Sequence, residues 1–194
     1  HDLRTILTRF RLQLALVSDG PELDGLNKDI DDMQSMLDSY LSFARGEAEE
    51  DVGAVSLNEV IEKMAADGRL RGATVTVSVE GDDEINVRPN AFTRLLTNLV
   101  SNACRHADEV AIVASNRGRW LTIAIDDDGP GIPADAREDV FRPFYRLDAA
   151  RNQDETGTGL GLAIVRDIAR SHGGDVTLAD SAMGGLRAVV RLPA

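Results

Sequence analysis

DDDGPGIP at 126–133 and, about thirty residues later, GTGLGLAIV at 157–165 are the stretches whose reading decides this chain. Glycine lets backbone N–H groups approach phosphate oxygens with no Cβ in the way. The second cluster runs into an apolar, helix-like stretch, so its N–H groups sit where a helix N-terminus favours anions. Nucleotide binding is the expectation. Two familiar alternatives fail on spacing. No GxxxxGK[ST] occurs, so the chain has no P-loop, and 157–161 reads GxGxG with Leu162 where a dinucleotide fingerprint needs glycine. ARNQDET at 150–156, just before it, is no strand. Two ordinary surface turns account for either cluster alone, but not for both with the chemistry around them.

Working outward, 194 residues suffice for one domain and a smaller element. Hydrophobic content of 43% supports a core, and aromatic content of 4% makes that core mostly Leu, Ile, Val and Ala. The net charge of −12 disfavours nonspecific nucleic-acid or anionic-membrane binding, but not ATP, which needs only local cations and N–H donors. The lone cysteine, Cys104, excludes an intrachain disulfide and suits a reducing compartment. No signal peptide or apolar run of membrane-spanning length is present.

Residues 1–46 read as a helical hairpin. Leu3, Leu7, Phe10, Leu14 and Val17 share one helical stripe, SDGP at 18–21 breaks it, and Leu23 to Leu41 form a second. So short a hairpin buries too little to stand alone, so it is expected to pair with a copy of itself as half of a dimeric four-helix bundle. Packing on its own chain is the alternative. Residues 47–55 read as a charged, glycine-containing linker, and 56–194 as the nucleotide domain. There Ser56 and Glu59 form a capping box opening a helix to about Asp67, and 73–80 alternates as a strand. A short strand follows around 85–87, and Pro89 starts a helix to about Ala107. Hairpins are expected around 116–118 and 183–185, with a helix over 160–171 between them. Strands pairing largely through hairpins, with helices interspersed, predict an α+β two-layer sandwich: one mixed sheet, helices on one face.

RLLTNLVSNACRHA at 94–107 gives Leu95, Leu96, Leu99, Val100 and Ala103 to a core. Asn98 and Asn102, one turn apart, project together from another side. Asparagine is unfavourable inside a helix, yet its amide oxygen can ligate Mg²⁺ beside phosphate oxygens. Arg105 and His106 follow, where a cation can meet phosphate. Solvated asparagines would be the simpler reading of this helix in isolation. Cys104 reads as a packing residue, with no evident base beside it.

In order, an asparagine helix, a DxGxG turn, FxPF and GxGxGL resemble the ATP-binding domain of sensor histidine kinases, the GHKL or Bergerat fold shared with gyrase, MutL and heat-shock chaperone ATPases. HDLRT at the start, followed by LTRFRL, looks like the HisKA phosphoacceptor motif in EnvZ-type wording. Together the resemblances span nearly the whole chain. They imply that Asp127, with Gly129 and Gly131, accepts from the adenine amino group, and that Asn102 holds Mg²⁺ with Asn98 beside it. They make Phe141, Pro143 and Phe144 the hydrophobic root of a lid, and Gly157, Thr158, Gly159, Leu160 and Gly161 the phosphate turn. Arg146 and Arg151 become lid cations; Ile132 and Leu162 complete the cofactor-binding set. His106 stands where relatives often carry an aromatic ring.

The same resemblance makes His1 the phosphoacceptor. On a helix Asp2 can hold its ring Nδ1–H, leaving the other nitrogen to attack phosphorus. Thr5, one turn on, is implied in positioning water for dephosphorylating a response regulator, and Ile6 replaces the usual proline. The implied activity is autophosphorylation from ATP·Mg²⁺ onto His1, then transfer to a response-regulator aspartate, with Thr8, Arg9 and Arg11 as candidate contacts. The implied setting is a homodimer, the cytoplasmic part of an inner-membrane sensor, with the upstream bundle outside this sequence. One alternative is a gyrase- or MutL-type ATPase, which needs a glutamate where Asn98 stands, and asparagine takes no proton at neutral pH. The other is a degenerate docking module, which should have lost nucleotide motifs that this chain keeps.

Overall fold

The computed structural model describes residues 50–147 and 159–194. The 1–46 hairpin, with His1, Asp2 and Thr5, lies outside the described residues, as do Arg151, Gly157 and Thr158. The described chain runs β1 (Gly53–Ser56), α1 (Leu57–Leu70), β2 (Thr74–Gly81), β3 (Glu84–Val87), α2 (Pro89–His106), β4 (Glu109–Arg117) and β5 (Trp120–Asp127). A 3₁₀ turn at Asp139–Phe141 follows, then α3 (Gly161–Ser171), β6 (Asp175–Asp180) and β7 (Leu186–Pro193).

Ser56 opens α1 as expected, its hydroxyl accepting from the Glu59 N–H at 3.1 Å. The cap is reinforced from afar: Asp83 takes the Ser56 hydroxyl at 2.8 Å, and the Asn58 backbone and side-chain N–H groups at 2.8 and 2.7 Å. These bonds, the Asn58 backbone N–H foremost, hold the Asp83 carboxyl below its usual range. α1 runs past Asp67 to Leu70, and the Arg69 guanidinium there donates to the Val75 carbonyl at 2.9 and 3.1 Å.

Five strands form a sheet in the order β2-β4-β5-β7-β6, in which β2 and β4 are parallel and the rest antiparallel. One face is apolar, with Val110, Ile112, Ala114, Leu121, Ile123, Ile125, Val190 and Leu192 all buried. The helices cover it through Leu57, Ile61 and Met64 of α1, Phe92, Leu95, Leu96, Leu99 and Val100 of α2, and Ile164, Val165 and Ile168 of α3. The mixed two-layer sandwich is therefore present.

One expectation needs revising. Gly53–Ser56, mostly inside the segment read as linker, is a strand paired antiparallel to β3 in a separate ribbon. Strand pairing thus begins at Gly53, before Ser56. β2 pairs in parallel with β4 across the α2 crossover, and this parallel pair makes the sheet mixed as expected. The hairpins β4–β5 and β6–β7 occur as expected.

Candidate active site

Asp127 closes β5 on the helix-covered side and is 6% exposed. Its Oδ1 accepts from the Gly129 N–H at 3.0 Å and the Leu186 N–H at 2.9 Å. Its backbone carbonyl takes the Gly185 N–H at 3.1 Å. Among the described residues nothing donates to Oδ2. One oxygen is thus anchored and the other stays open to an amino group. The anchorage needs bare backbone: a Cβ on Gly185 would strike Asp127 Oδ1 and the Gly129 nitrogen, and one on Gly129 would lie 2.6 Å from the His106 carbonyl oxygen. Gly185 and the Leu186 N–H escaped sequence reading. The glycine pair at 184–185 reads as a hairpin turn, and nothing in its spacing points 58 residues back to Asp127. Gly131, at φ +69, packs beside the same turn, and Ile132 lies against the core.

α2 spans the gap between that carboxylate and the glycine turn. Its C-terminal residue His106 touches the Gly129 turn, while Asn98, two turns earlier, faces the start of α3: a Cβ on Gly161 would sit 3.4 Å from Asn98 Oδ1. Asn98 Nδ2 donates to the Arg94 carbonyl at 2.9 Å, so the amide is oriented with its oxygen toward α3. At 1.5 Å per residue the eight residues between cover about 12 Å, the reach of an extended nucleotide. Asn102 lies midway and half-buried, and Arg105 and His106 are exposed. The Cys104 thiol is pushed up, chiefly by burial and against the pull of Arg71, as befits a packing residue.

The described part of the glycine turn meets the FRPF segment through its backbone. The Phe144 N–H donates to the Gly159 carbonyl at 3.0 Å, and a Cβ on Gly159 (φ +67) would lie 2.9 Å from Phe144 Cα. Phe144 itself takes φ +65, a strained conformation for a bulky side chain. The expected hydrophobic root is only partly one: Phe141 is buried, whereas Pro143 is exposed and Phe144 is 57% exposed. Leu160 is buried, Leu162 packs on the core, and Gly161 opens α3 beside Asn98 with no side-chain cap. Arg146 is exposed.

Residues 87–194 match the family model of histidine kinase-, DNA gyrase B-, and HSP90-like ATPases. The chain belongs to this ATPase family. Among curated proteins, this chain is 38% identical to the sensor histidine kinase CpxA of Escherichia coli K12 and 34% identical to the sensor histidine kinase GtrS of Pseudomonas aeruginosa. Both alignments cover all of this chain, but only 45% and 40% of those relatives, so it spans less than half their length. Among solved structures, the ATP-binding domain of PrrB from Mycobacterium tuberculosis is 30% identical, with a TM-score of 0.63 over 75% of this chain and 98% of that one. Full-length ShkA in complex with AMPPNP aligns over 99% of this chain and 45% of its own at TM-score 0.73; at 24% identity that is a likeness of fold.

The donor set fits Mg²⁺ in one respect that geometry decides. Asn98 presents a hard amide oxygen toward the helix N-terminus where phosphates would sit, and Asn102 lies one turn further along the same helix. Among the described residues no group of three or more His, Cys, Asp or Glu side chains could hold a metal ion. A cation here would have to share its ligands with the nucleotide. Among those residues, too, no helix is long and apolar enough to cross a membrane.

Proposed function

We propose that this chain is the catalytic core of a two-component sensor histidine kinase, moving the γ-phosphate of ATP to His1 and then to an aspartate of a response regulator. The observation that carries the nucleotide half is Asp127: buried, anchored through one oxygen by Gly129 and Leu186, and open at the other. A fixed carboxylate accepts from the adenine amino group and repels the exocyclic oxygen of guanine. Asn102, with Asn98 beside it, would hold Mg²⁺, which when bound neutralises phosphate charge. The N–H groups of Gly159, Leu160 and Gly161 receive phosphate oxygens at the start of α3, and Arg146 and Arg151 supply further positive charge. Phosphoryl transfer is mostly positioning and charge neutralisation, which is what these groups offer.

The acceptor half rests on HDLRT and on the end-to-end likeness to named sensor histidine kinases. Asp2 orients the His1 ring for attack on the γ-phosphorus, Thr5 serves phosphatase action on the regulator, and residues 1–46 dimerise. The cytoplasm is the proposed location. A gyrase-type hydrolysis is disfavoured because Asn98, whose Nδ2 is committed to the Arg94 carbonyl, occupies the general-base position.

Incubation of the 194-residue chain with γ-labelled ATP tests this reading. The expected product is labile in acid, stable in base and absent from His1→Gln, which still binds ATP. Asn102→Ala should abolish Mg²⁺-dependent labelling. Fast phosphate release with no labelled histidine would show an ATPase instead.

A further inference from the structure

Arg166 lies in the second turn of α3, 17% exposed, and no motif claims it. Its guanidinium is bidentate on Glu138 at 2.6 and 3.1 Å, and its carbon lies 4.4 Å from the centre of the buried Phe141 ring. Its Nε faces Asp175 at 3.5 Å, an ion-pair distance too long for a hydrogen bond. Arg170 reaches Asp175 from the next turn. The Glu138 carboxyl is held below its usual range, first by its bonds from Arg166.

Glu138 and Phe141 belong to the segment that continues into Phe144, whose N–H is bonded to the Gly159 carbonyl. That segment therefore grips α3 at two places: by backbone just before the helix, and by Arg166 in its second turn. Between the grips lie the N–H groups of Leu160 and Gly161. We infer that Arg166 is a positioning residue for the polyphosphate end of the nucleotide: it fixes the N-terminal turn of α3 against the 138–144 segment. Without it the segment keeps its backbone bond from Phe144, a residue already at φ +65, but loses its grip on the second turn. Lysine replaces it only in part, since its point charge keeps the attraction to Glu138 but lacks the planar bidentate fork and does not stack flat on a ring. The purine end is held by separate parts, since the groups on Asp127 come from Gly129, Gly185 and Leu186.

This inference rests on the ATP reading of the cleft, and the two ends of the ligand separate it from a general loss of structure. Calorimetry of the 194-residue chain with the non-hydrolysed analogue AMPPNP and with adenosine, on wild type, Arg166→Gln, Arg166→Lys and Glu138→Gln, reads both ends. Arg166→Gln and Glu138→Gln should weaken AMPPNP roughly tenfold or more, as small misplacements of positioned groups do, and leave adenosine unchanged. Arg166→Lys should fall between. Glu138 is 77% exposed, so its variant keeps the fold even if the arginine variant does not. Wild type binding neither ligand would overturn the ATP reading, and this inference with it. Wild type binding both, with the variants matching it or losing both ligands alike, would overturn this inference alone.

Discussion

Asp126 and Asp127 are neighbours on β5 with opposite roles. Side chains alternate along a strand, so Asp127 joins the helix-covered side while Asp126 faces the other way, where Arg187 lies 3.4 Å from its Oδ2. Both are buried, yet only Asp127 is wired into the cleft by two backbone N–H donors. Exchange of one oxygen for an amide therefore separates them. Asp127→Asn places an N–H₂ group either against the Gly129 and Leu186 donors or against the adenine amino group, and both are repulsive. ATP affinity should fall by roughly tenfold to a hundredfold, the scale of a charge-assisted hydrogen bond lost. Asp126→Asn should change affinity by no more than about twofold, as substitutions away from a site usually do. Parallel titrations of the two variants with AMPPNP check this, and equal losses would mean that the face assignment is wrong.

α2 carries the candidate metal ligands, and its N-terminus is held by groups distant in sequence. Arg88, at the N-cap, offers no side-chain cap, and Pro89 follows it. The open N–H groups go elsewhere: Asn90 and Ala91 donate to the two Glu50 carboxylate oxygens at 2.7 and 3.1 Å. Arg88 donates its N–H to His172 Nε2 at 3.1 Å, which fixes the ring proton on Nδ1, where it meets the Ile168 carbonyl at 2.8 Å. The end of α3 and the segment before β1 are thereby tied to the start of α2. Glu50→Ala should cost about 1 kcal/mol, the usual value of a lost cap, and Glu50→Gln less, because an amide oxygen still accepts one N–H. Urea midpoints of the two variants measure it, and an unchanged Glu50→Ala midpoint would refute the cap. None of this was legible from spacing: Glu50 sits in an acidic run that reads as solvated, and its partners lie 40 and 41 residues on. What was legible had local chemistry. Pro89 and the apolar period of 94–107 placed α2 to within one residue, and Ser56–Glu59 placed the start of α1. β1 was missed because four residues, GAVS, carry too short an alternation beside EAEED to stand out from a linker. The carboxylate, the amide helix and the glycine turn are legible as motifs because each is contiguous. The parts that hold them, Gly185, Arg166 and Glu138, act across tens of residues and leave no periodic trace.

For the whole molecule, acid acts in two opposing ways. With 33 acidic and 21 basic side chains, protonation relieves a net charge of −12 and so lessens self-repulsion. Against this stand three carboxylates that join separate elements and titrate below their ordinary values. Asp83 is held down by Asn58 and Ser56 on α1, and Glu138 by Arg166 on α3. Asp175 is raised by burial but brought down overall by the Val176 N–H and by Arg170 and Arg166. A carboxyl depressed in the fold stabilises it fully at pH above its unfolded value, about 4, and that contribution disappears as pH falls through the folded value. The sign is therefore loss of stability on acidification, beginning below about pH 5. All three groups are exposed or nearly so, so salt should shrink the effect. The triple variant Asp83→Asn, Glu138→Gln, Asp175→Asn isolates it, because both proteins share the relief of repulsion by the remaining acids. Its urea midpoint should lie below wild type at pH 7, and the gap should narrow steadily toward pH 3 as wild type loses what the variant never had. A gap that stayed constant with pH would show that these contacts hold the elements by shape alone, with no linkage to protons.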